Sequence, residues 1–349
     1  MKLLKIDHLP SQQSMLIFHA LARIGFEGLV IVSPEIPLVS IGYFQDAEKE
    51  IDIEYCNQIG IPVMRREVGG GATYLDKNQI FYQLIWKKDN PCFPRSIKDI
   101  FQYLSQPVCE TYQDFGINVY FKPENDILTK KERKITGEGG GDIGDSMVFV
   151  GGILLDFDYK TMSKILKVPD EKFRYKIYNS MEENLTTMKR ELGIIPDRAE
   201  IVNSIIKNYE KVIGKLKPVT LTNEIINKMI EIEQWFTSDQ FLYKKTPRRP
   251  QGVKIREGLE ILYSNYKARG GLIRTTQEVK KDAIENINIS GDFQFFPKSK
   301  LIGIEKNLKK TKRKEKKLLS KIENFYETQK IESPGVEPED ISNAIIEAE

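Results

Sequence analysis

The chain has 349 residues, of which 40% are hydrophobic and 30% are charged, and its formal net charge at pH 7 is +3. This composition excludes an intrinsically disordered chain, and the near balance of charge excludes a general attraction to nucleic acid or membranes. With only three cysteines, none at metal-ligand spacing, and no apolar stretch long enough to span a bilayer, we expect a cytoplasmic protein without disulfides.

The N-terminal residues predict a helix followed by a strand pair. Apolar residues at helical spacing over 11–24 predict a helix with Ser11 as its N-cap. His19 lies within this helix, and we interpret it as a packed core residue rather than a ligand. The next predicted elements are two strands and a helix, at 28–33, 38–43 and 47–58.

A glycine-rich segment at residues 65–76, called here the glycine turn, is the main candidate for a binding site. Gly69, Gly70 and Gly71 have no Cβ, so their main-chain N–H groups can approach an anion, and Arg66 can supply a permanent positive charge. The turn joins the extended segment 61–66 to a predicted strand at 79–86. Because no helix follows the glycines, the turn is neither a P-loop nor a dinucleotide-binding motif. The alternative is a hairpin with two solvated arginines.

The middle of the chain predicts further strands around a second amphipathic helix. That helix covers 95–116, and strands follow at 117–121 and 148–156. We expect the glycine-rich residues 138–145 to form a mobile cover over the site. Strands joined by hairpins and mixed with helices predict an α+β fold, with a mixed or antiparallel sheet flanked by helices.

The C-terminal half is predicted to be mainly helical before a small second domain. Helices are expected at 160–167, 197–213 and 223–236, and a small sheet with helices is expected after residue 258. We divide the chain into a ligand-binding domain at 1–243, a linker at 244–252 and a small α+β domain at 253–349. The basic run 306–317 is interpreted as a helix with a solvated basic face, and the acidic end of the chain as a loosely packed helix.

Three features together indicate a site that activates a carboxylic acid. A lysine ammonium such as Lys134 can lie between a carboxylate and a phosphate, and Asp126 is the type of ligand that Mg²⁺ uses beside phosphate oxygens. With the glycine amides, these groups could hold a carboxylic acid against the α-phosphate of ATP, which favours adenylation. Each feature alone has a simpler interpretation: Lys134 as a solvated loop residue, and Asn125-Asp126 as a turn.

In this order the motifs resemble those of the lipoate–protein ligase A family, which is related to biotin ligases and octanoyltransferases. The matching segments are Arg65-Arg66, Gly69-Gly70-Gly71-Ala72-Thr73-Tyr74-Leu75-Asp76, Asn125-Asp126 and Lys134-Ile135-Thr136-Gly137. The resemblance covers residues 10–240 and continues more loosely through 252–349. It implies a biotin/lipoate ligase-like domain that uses ATP and Mg²⁺ to convert lipoate to lipoyl-AMP. The lipoyl group then passes to a lysine of a lipoyl-domain protein.

The resemblance also implies roles for individual residues. Lys134 would be the catalytic residue and would contact the nucleotide, and Asp126 would bind the metal. The lipoyl-AMP would be held by Arg66, Gly69, Gly70, Gly71, Thr136 and Gly137, and the nucleotide by Thr73, Tyr74, Gln79 and Asn125. The acceptor would be a 2-oxoacid dehydrogenase E2 subunit, a glycine cleavage H protein or an H-like protein. We expect a monomer without a membrane or nucleic-acid partner.

Two alternatives to a ligase follow from the same residues. The chain departs from the family where Leu75 and Val150 replace histidines, which affects the shape of the acyl pocket. The related octanoyltransferases transfer the acyl group through a cysteine thioester. Cys56, Cys92 and Cys109 do not match the positions of that cysteine, and we interpret the latter two as packing residues, which favours the ligase. A second alternative is a non-catalytic lipoyl- or nucleic-acid-binding protein that uses the basic segment 306–317.

Overall fold

The computed structural model of the chain describes residues 1–247 and 258–349. Within these ranges the strands are β1 (Lys2–Lys5), β2 (Gly28–Val32), β3 (Leu38–Ile41), β4 (Val63–Arg65), β5 (Thr73–Leu75), β6 (Gln79–Lys87), β7 (Val119–Lys122), β8 (Asp126–Thr129), β9 (Lys134–Ile143), β10 (Ser146–Leu154), β11 (Lys217–Val219), β12 (Leu259–Ala268), β13 (Gly271–Lys280) and β14 (Ala283–Gly291). The α-helices are α1 (Gln13–Arg23), α2 (Ala47–Glu50), α3 (Ile53–Gln58), α4 (Ile97–Asp114), α5 (Tyr159–Ile165), α6 (Glu171–Asn184), α7 (Met188–Leu192), α8 (Arg198–Ile213), α9 (Asn223–Phe236), α10 (Asp239–Leu242), α11 (Leu301–Asn307), α12 (Glu315–Gln329) and α13 (Pro338–Ile346).

An eight-stranded mixed sheet organises the first 240 residues. Its strand order is β11-β1-β2-β6-β10-β9-β8-β7. β11, β1 and β2 are parallel, and the remaining neighbours are antiparallel. The predicted α+β class with a mixed sheet is therefore confirmed.

Helices cover the two faces of this sheet with separate cores. α4 and α8 pack on one face, where Leu104, Val108 and Ile205 join the buried cluster that contains the sheet residue Tyr82. α1 and α9 lie on the other face, in a cluster that contains Phe81. Phe81 and Tyr82 are consecutive residues of β6, so their opposite directions follow from strand geometry.

A small sheet and the glycine turn lie on the α1 side of the molecule. β3 pairs with β4 in parallel and with β5 in antiparallel orientation. The glycine turn connects β4 to β5, so the predicted strand-to-strand setting is confirmed. The two strands predicted at 28–33 and 38–43 are present but belong to different sheets.

The C-terminal residues form a three-stranded antiparallel sheet in the order β12-β13-β14, packed with α11 to α13. Its buried residues Ile273 and Ile289 belong to the same apolar cluster as α1 and α9. This continuity positions the C-terminal sheet against the glycine turn.

Several local predictions are wrong in the N-terminal part. The N-cap of α1 is Gln12, and Ser11 instead accepts a hydrogen bond from Ser14 Oγ at its carbonyl. The helix predicted at 47–58 is two helices, because Asp52 accepts from the main-chain N–H of Tyr55 and starts α3. Residues 138–145 are not a mobile cover, since 138–143 complete β9 and pair with β10.

Two predictions for the C-terminal part are also wrong. The basic run 306–317 is not one helix: it covers the end of α11, a turn, and the start of α12. Lys310 has a φ of 61°, and its N–H donates to the carbonyl of Ile284, which holds this turn against β14. The final helix is tightly packed, with Ile341 and Ile345 fully buried.

The predicted linker at 244–252 lies outside the described residues from position 248 onward. The division into domains at 1–243 and 253–349 therefore stays a prediction. In the described ranges no helix is long and apolar enough to cross a membrane.

Candidate active site

A cavity of about 300 Å³ lies between the central sheet, α1 and the glycine turn. One end is apolar and is lined by Met15, Phe18, Phe81 and Val150. The other end is polar and contains Lys134 with its neighbours on β8 and β9. A cavity with an apolar body and a few polar groups at one end fits a small amphiphilic ligand.

Most of the predicted site residues meet at this cavity. Those that line it are Arg66, Gly70, Gly71, Thr73, Tyr74, Gln79, Asn125, Lys134 and Gly137. Three predicted residues are not part of its lining: Gly69, Thr136 and Asp126. The binding roles assigned to all twelve residues remain predictions.

The two arginines of the glycine turn are both buried, so the alternative of a hairpin with solvated arginines is wrong. Arg65 is 0% exposed and points away from the cavity, donating to the carbonyls of Gly42, Tyr43, Gln45, Phe241 and Leu242. Arg66 donates through Nη1 to Ser40 and through Nη2 to the carbonyls of Gly69 and Gly71, at 2.9 and 2.8 Å. Burial lowers the pKa of each guanidinium to about 10, which leaves both charged at neutral pH. Arg66 thus holds the shape of the glycine turn from inside.

Close packing explains two of the glycines near the turn. Gly70 has a φ of 92°, in the region that favours glycine. A Cβ on Gly42 would lie 1.9 Å from the carbonyl oxygen of Gly70, so the segment that follows β3 and the turn can touch only with glycine there. The turn is therefore a preformed main-chain surface facing the cavity.

Lys134 lies at the first position of β9 and reaches the polar end of the cavity. Its Nζ is 2.6 Å from Oδ1 of Asp126, and the two side chains are 37% and 34% exposed. Its carbonyl accepts a hydrogen bond from the N–H of Thr186, which fixes the main chain on the side away from β8. A Cβ placed on Gly137 would lie 2.9 Å from Nζ, so glycine at that position leaves space for the ammonium group. The ammonium has three N–H donors and can keep Asp126 while it binds a ligand anion.

Asn125, Thr136 and Glu138 hold the strands around Lys134. Asn125 donates through Nδ2 to the carbonyl of Glu138, and its own carbonyl accepts from the Glu138 N–H. The Thr136 hydroxyl bonds to Tyr112 on α4, so its side chain points to the face opposite the cavity. Any contact of Thr136 with the ligand would involve the main chain.

The Glu138 carboxyl is buried on the α4 face of the sheet and was not identified from the sequence. It accepts hydrogen bonds from the hydroxyls of Tyr82 and Ser105. Burial raises the pKa of this carboxyl to about 8. Its side chain points to the α4 face, while the residue itself is part of the cavity lining. The charges of Asp126 and Lys134 also act on the pKa of this carboxyl, so it interacts electrostatically with the site.

Three of the residues predicted to contact the nucleotide, Thr73, Tyr74 and Gln79, follow the glycine turn on β5 and β6. Thr73 is exposed, and its hydroxyl donates to the carbonyl of Ser40 at 3.2 Å. Gln79 donates through Nε2 to the carbonyl of Tyr74, and the Tyr74 ring packs edge-to-face on Phe157. These contacts connect β5 to β3, to β6 and to the segment after β10, and they leave the Thr73 side chain accessible to a ligand.

Residues after β14 pack directly on the outer side of the glycine turn. The N–H of Gly70 donates to the carbonyl of Phe293, and a Cβ on Gly69 would lie 2.6 Å from that oxygen. Lys298 makes an ion pair with Glu67 at 3.3 Å, next to the His19 imidazole, whose Nε2 accepts from the Glu67 N–H at 3.0 Å. The prediction that His19 is a packed core residue is therefore confirmed, and burial lowers its pKa to about 3.

The cysteines lie away from the cavity lining. Cys56 and Cys109 are buried, and burial raises the pKa of their thiols to about 11 and about 12. Cys92 is exposed, so its prediction as a packing residue is wrong, and Cys109 lies inside α4 rather than beside it. Neither buried thiol would be a thiolate at neutral pH.

In the described part of the chain, no group of three or more His, Cys, Asp or Glu side chains could bind a metal ion. These residues therefore offer no site in which protein side chains alone would hold a metal. Asp126 is a single carboxylate at the polar end of the cavity. One carboxylate fits the way Mg²⁺ is held when phosphate oxygens and water supply the other ligands. Asp126 therefore fits Mg²⁺ that arrives with a nucleotide.

Comparison with known proteins gives a family match over most of the residues that line the cavity. Residues 23–210 match the family model of the lipoyl protein ligase A/B catalytic domain. The chain is 28% identical over 214 residues to lipoate-protein ligase A subunit 1 of Thermoplasma acidophilum, covering 56% of this chain and 79% of that protein. It is 25% identical over 233 residues to octanoyltransferase LipM of Geobacillus kaustophilus, covering 60% of this chain and 84% of that protein.

Solved structures with a similar fold include LipL1 of P. falciparum in complex with lipoate. The TM-score is 0.69 at 15% identity, and the similarity covers 99% of both chains, so it includes the C-terminal sheet. A structure from the structural analysis of a bipartite lipoate protein ligase and its E2 lipoyl domain, from Thermoplasma acidophilum, gives a TM-score of 0.62 at 24% identity. That similarity covers 72% of this chain and 98% of the other. These similarities establish the fold.

Proposed function

Because this chain belongs to the family of the lipoyl protein ligase A/B catalytic domain, we propose that it is an ATP-dependent lipoate–protein ligase. In the first step the carboxylate of lipoate attacks the α-phosphate of ATP, which gives lipoyl-AMP and pyrophosphate. In the second step the amine of an acceptor lysine attacks the acyl carbon and AMP leaves. Both steps develop negative charge near one point, where a fixed cation lowers the barrier.

One observation carries this proposal: a lysine ammonium stands at one end of an apolar cavity of suitable length. The strand register places Gly139 of β9 beside Val150 of β10, and Val150 beside Gln83 of β6. Gln83 therefore lies two strands away from Gly137 and two residues further along the strand direction. Strand spacing and rise then put the backbone of Gln83 about 12 Å from that of Gly137, beside which the Lys134 ammonium lies. An extended eight-carbon acid spans about 9 Å with standard bond lengths, so its carboxylate can reach Lys134 while its tail lies among apolar side chains.

The other polar groups have compatible roles. Gly70 and Gly71 line the cavity. The Gly70 N–H already donates to the Phe293 carbonyl, so the Gly71 N–H would be the group that binds an acyl or phosphate oxygen. Asn125 and Thr73 lie where the nucleotide would extend, and Asp126 would contact the magnesium that accompanies ATP. Arg66 would act by holding the glycine turn, since its N–H groups already bind main-chain carbonyls.

A lipoyl-domain protein is the proposed acceptor, for example an E2 subunit or an H protein. The Thermoplasma acidophilum ligase of similar fold was studied together with its E2 lipoyl domain.

We propose that the protein acts in the cytoplasm, because all three cysteines are free thiols, as a reducing compartment would keep them. We also propose that the chain acts as a monomer, because residues 1–247 and 258–349 provide both the cavity and the sheet that packs against its glycine turn.

An octanoyltransferase is the second candidate, because relatives such as LipM carry that name. Such a reaction needs a reactive thiol to hold the acyl group. The raised pKa of the Cys56 and Cys109 thiols, and the absence of all three cysteines from the cavity lining, favour the ligase.

The deciding experiment separates the two acyl donors. The protein is incubated with lipoate and Mg·ATP, or with an octanoyl thioester without ATP, and mass spectrometry detects acyl-AMP and the acylated lipoyl domain. A ligase gives acyl-AMP, pyrophosphate and acylated acceptor only with ATP. Acylation from the thioester alone, with no acyl-AMP, would establish the transferase instead. A variant in which alanine replaces all three cysteines should keep the ligase activity.

A further inference from the structure

Gln83 carries a buried, unpaired hydrogen-bond acceptor beside the cavity. The residue lies on β6, is 1% exposed, and lines the cavity. Its Nε2 donates to the carbonyl of Ser14 at 3.0 Å, and its Oε1 has no hydrogen-bond partner among the described residues. Because a carbonyl can only accept, the amide cannot be reversed, and Oε1 is the atom left over.

The side chains around this oxygen supply no donor. Val150 lies beside Gln83 in the sheet, and Met15, Phe18 and Phe81 line the same cavity. None of these four side chains has an N–H or O–H group. A buried acceptor without a partner destabilises the protein, so such groups are nearly always paired. A ligand that brings a donor to this position would remove the penalty.

The distance from Lys134 defines which part of a ligand meets Gln83. The backbone separation of about 12 Å estimated from strand spacing corresponds to a contact of about 3 Å between the ammonium and the carboxylate plus an eight-carbon chain of about 9 Å, so the chain would end beside Gln83. Oε1 would therefore contact the last carbons of the chain or a substituent on them. Octanoate offers only C–H groups there, and the cyclic disulfide of oxidised lipoate also has no donor.

We propose that Gln83 is a specificity-determining residue that accepts a hydrogen bond from a thiol or hydroxyl at the tail of the acyl acid. This inference rests on the proposed function, since it names the preferred substrate of the same site. The preferred natural class is an eight-carbon acid with a reduced dithiol, that is dihydrolipoate. A hydroxyl is a stronger donor than a thiol, so 8-hydroxyoctanoate is the sharpest probe.

The test compares binding of four acids to the full-length protein by titration calorimetry without ATP: octanoate, 8-hydroxyoctanoate, oxidised lipoate and dihydrolipoate kept reduced. The wild type should bind 8-hydroxyoctanoate about tenfold more tightly than octanoate, and dihydrolipoate more tightly than oxidised lipoate. In Gln83→Met, which keeps the length and removes the acceptor, octanoate should bind more tightly than before and the preference should disappear. Gln106→Met, at an exposed position of α4, is the matched control and should behave as the wild type.

The outcomes separate this inference from the proposed function. Equal affinities for 8-hydroxyoctanoate and octanoate in the wild type overturn the role of Gln83, whether or not the variant folds. The same preference in wild type and Gln83→Met also overturns it. If the preference follows Gln83 but ATP yields no acyl-AMP with any of the acids, the proposed ligase activity fails and the specificity role stands.

Discussion

Replacing Lys134 by alanine should greatly slow acyl-AMP formation without unfolding the protein. The ammonium is 2.6 Å from Asp126 at the polar end of the cavity, and its side chain is 37% exposed. The substitution removes one positive charge, changes no other charge and keeps the main chain of β9 intact. Asp126 remains 34% exposed, so water can solvate its carboxylate when its partner is gone.

The magnitude of the loss follows from the exposure of the ammonium. A unit charge about 3 Å from a phosphate oxygen gains about 5 kcal/mol at an effective dielectric constant of about 20. Partial exposure and competition from Asp126 reduce this by about half, which leaves about 3 kcal/mol, or roughly a hundredfold in rate. The free energy of unfolding should fall by at most about 1 kcal/mol, because an ion pair this exposed contributes little.

Pyrophosphate exchange with lipoate measures the rate, and thermal unfolding measures the stability. Lys131→Ala, which removes an exposed lysine three residues away, is the control and should keep the wild-type rate. A Lys134→Ala variant with kcat within about threefold of the wild type would refute the assigned role. A large loss of thermal stability would instead mean that the ion pair is structural.

Two further perturbations test the site and the buried titratable groups. Gly137→Ala should fold normally but lose roughly a hundredfold in acyl-AMP formation, because its methyl would lie 2.9 Å from Nζ and displace that flexible group; an unchanged rate in pyrophosphate exchange would contradict this. His19→Gln should reduce the loss of folding stability that the wild type shows as pH falls below 6.5. That loss arises because burial lowers the pKa of the folded imidazole to about 3, so the unfolded chain takes up the proton first. Glu138→Gln should remove a pH dependence of the opposite sign, because burial raises the pKa of the wild-type carboxyl to about 8. The wild type should therefore lose stability as the pH rises from 4.5 to 8, by up to about 1.4 kcal/mol per pH unit, and the variant should not show this loss. Urea unfolding from pH 5 to 8 measures both, and parallel profiles for a variant and the wild type would contradict the corresponding assignment.

Local patterns were sufficient to predict most of the elements. The strand at β6 and the helices α4, α8 and α9 were expected close to their observed positions, because their apolar residues repeat at the period of one secondary structure. The break between α2 and α3 was missed, although Asp52 is a good N-cap, because an apolar pattern continues across it. The strand at residues 138–143 was not predicted, because consecutive glycines usually indicate a loop. Here the strand needs glycine because it packs closely on α4 and on the main chain of Glu67.

The candidate site was partly predictable from residue chemistry. The order of the glycines, Asn125-Asp126 and Lys134 indicated an anion site, and the structure brings most of these residues to one cavity. Gln83 could have been noticed as the polar residue inside the apolar run Ile80-Phe81-Tyr82-Gln83-Leu84-Ile85. Nothing in the sequence indicated that its acceptor would be left unpaired, because that depends on the position of Ser14 on α1.

The sequence by itself determined the fold class, the strand-to-strand setting of the glycine turn and the chemical types available for activation. These properties depend on residue type and short-range spacing. Only the tertiary structure decided that Arg65 and Arg66 are buried supports and that Thr136 faces α4. It also decided that Lys134 and Gln83 stand at opposite ends of one cavity. Such relations depend on which face of a strand is covered and on how strands far apart in the chain are paired, and no local pattern specifies either.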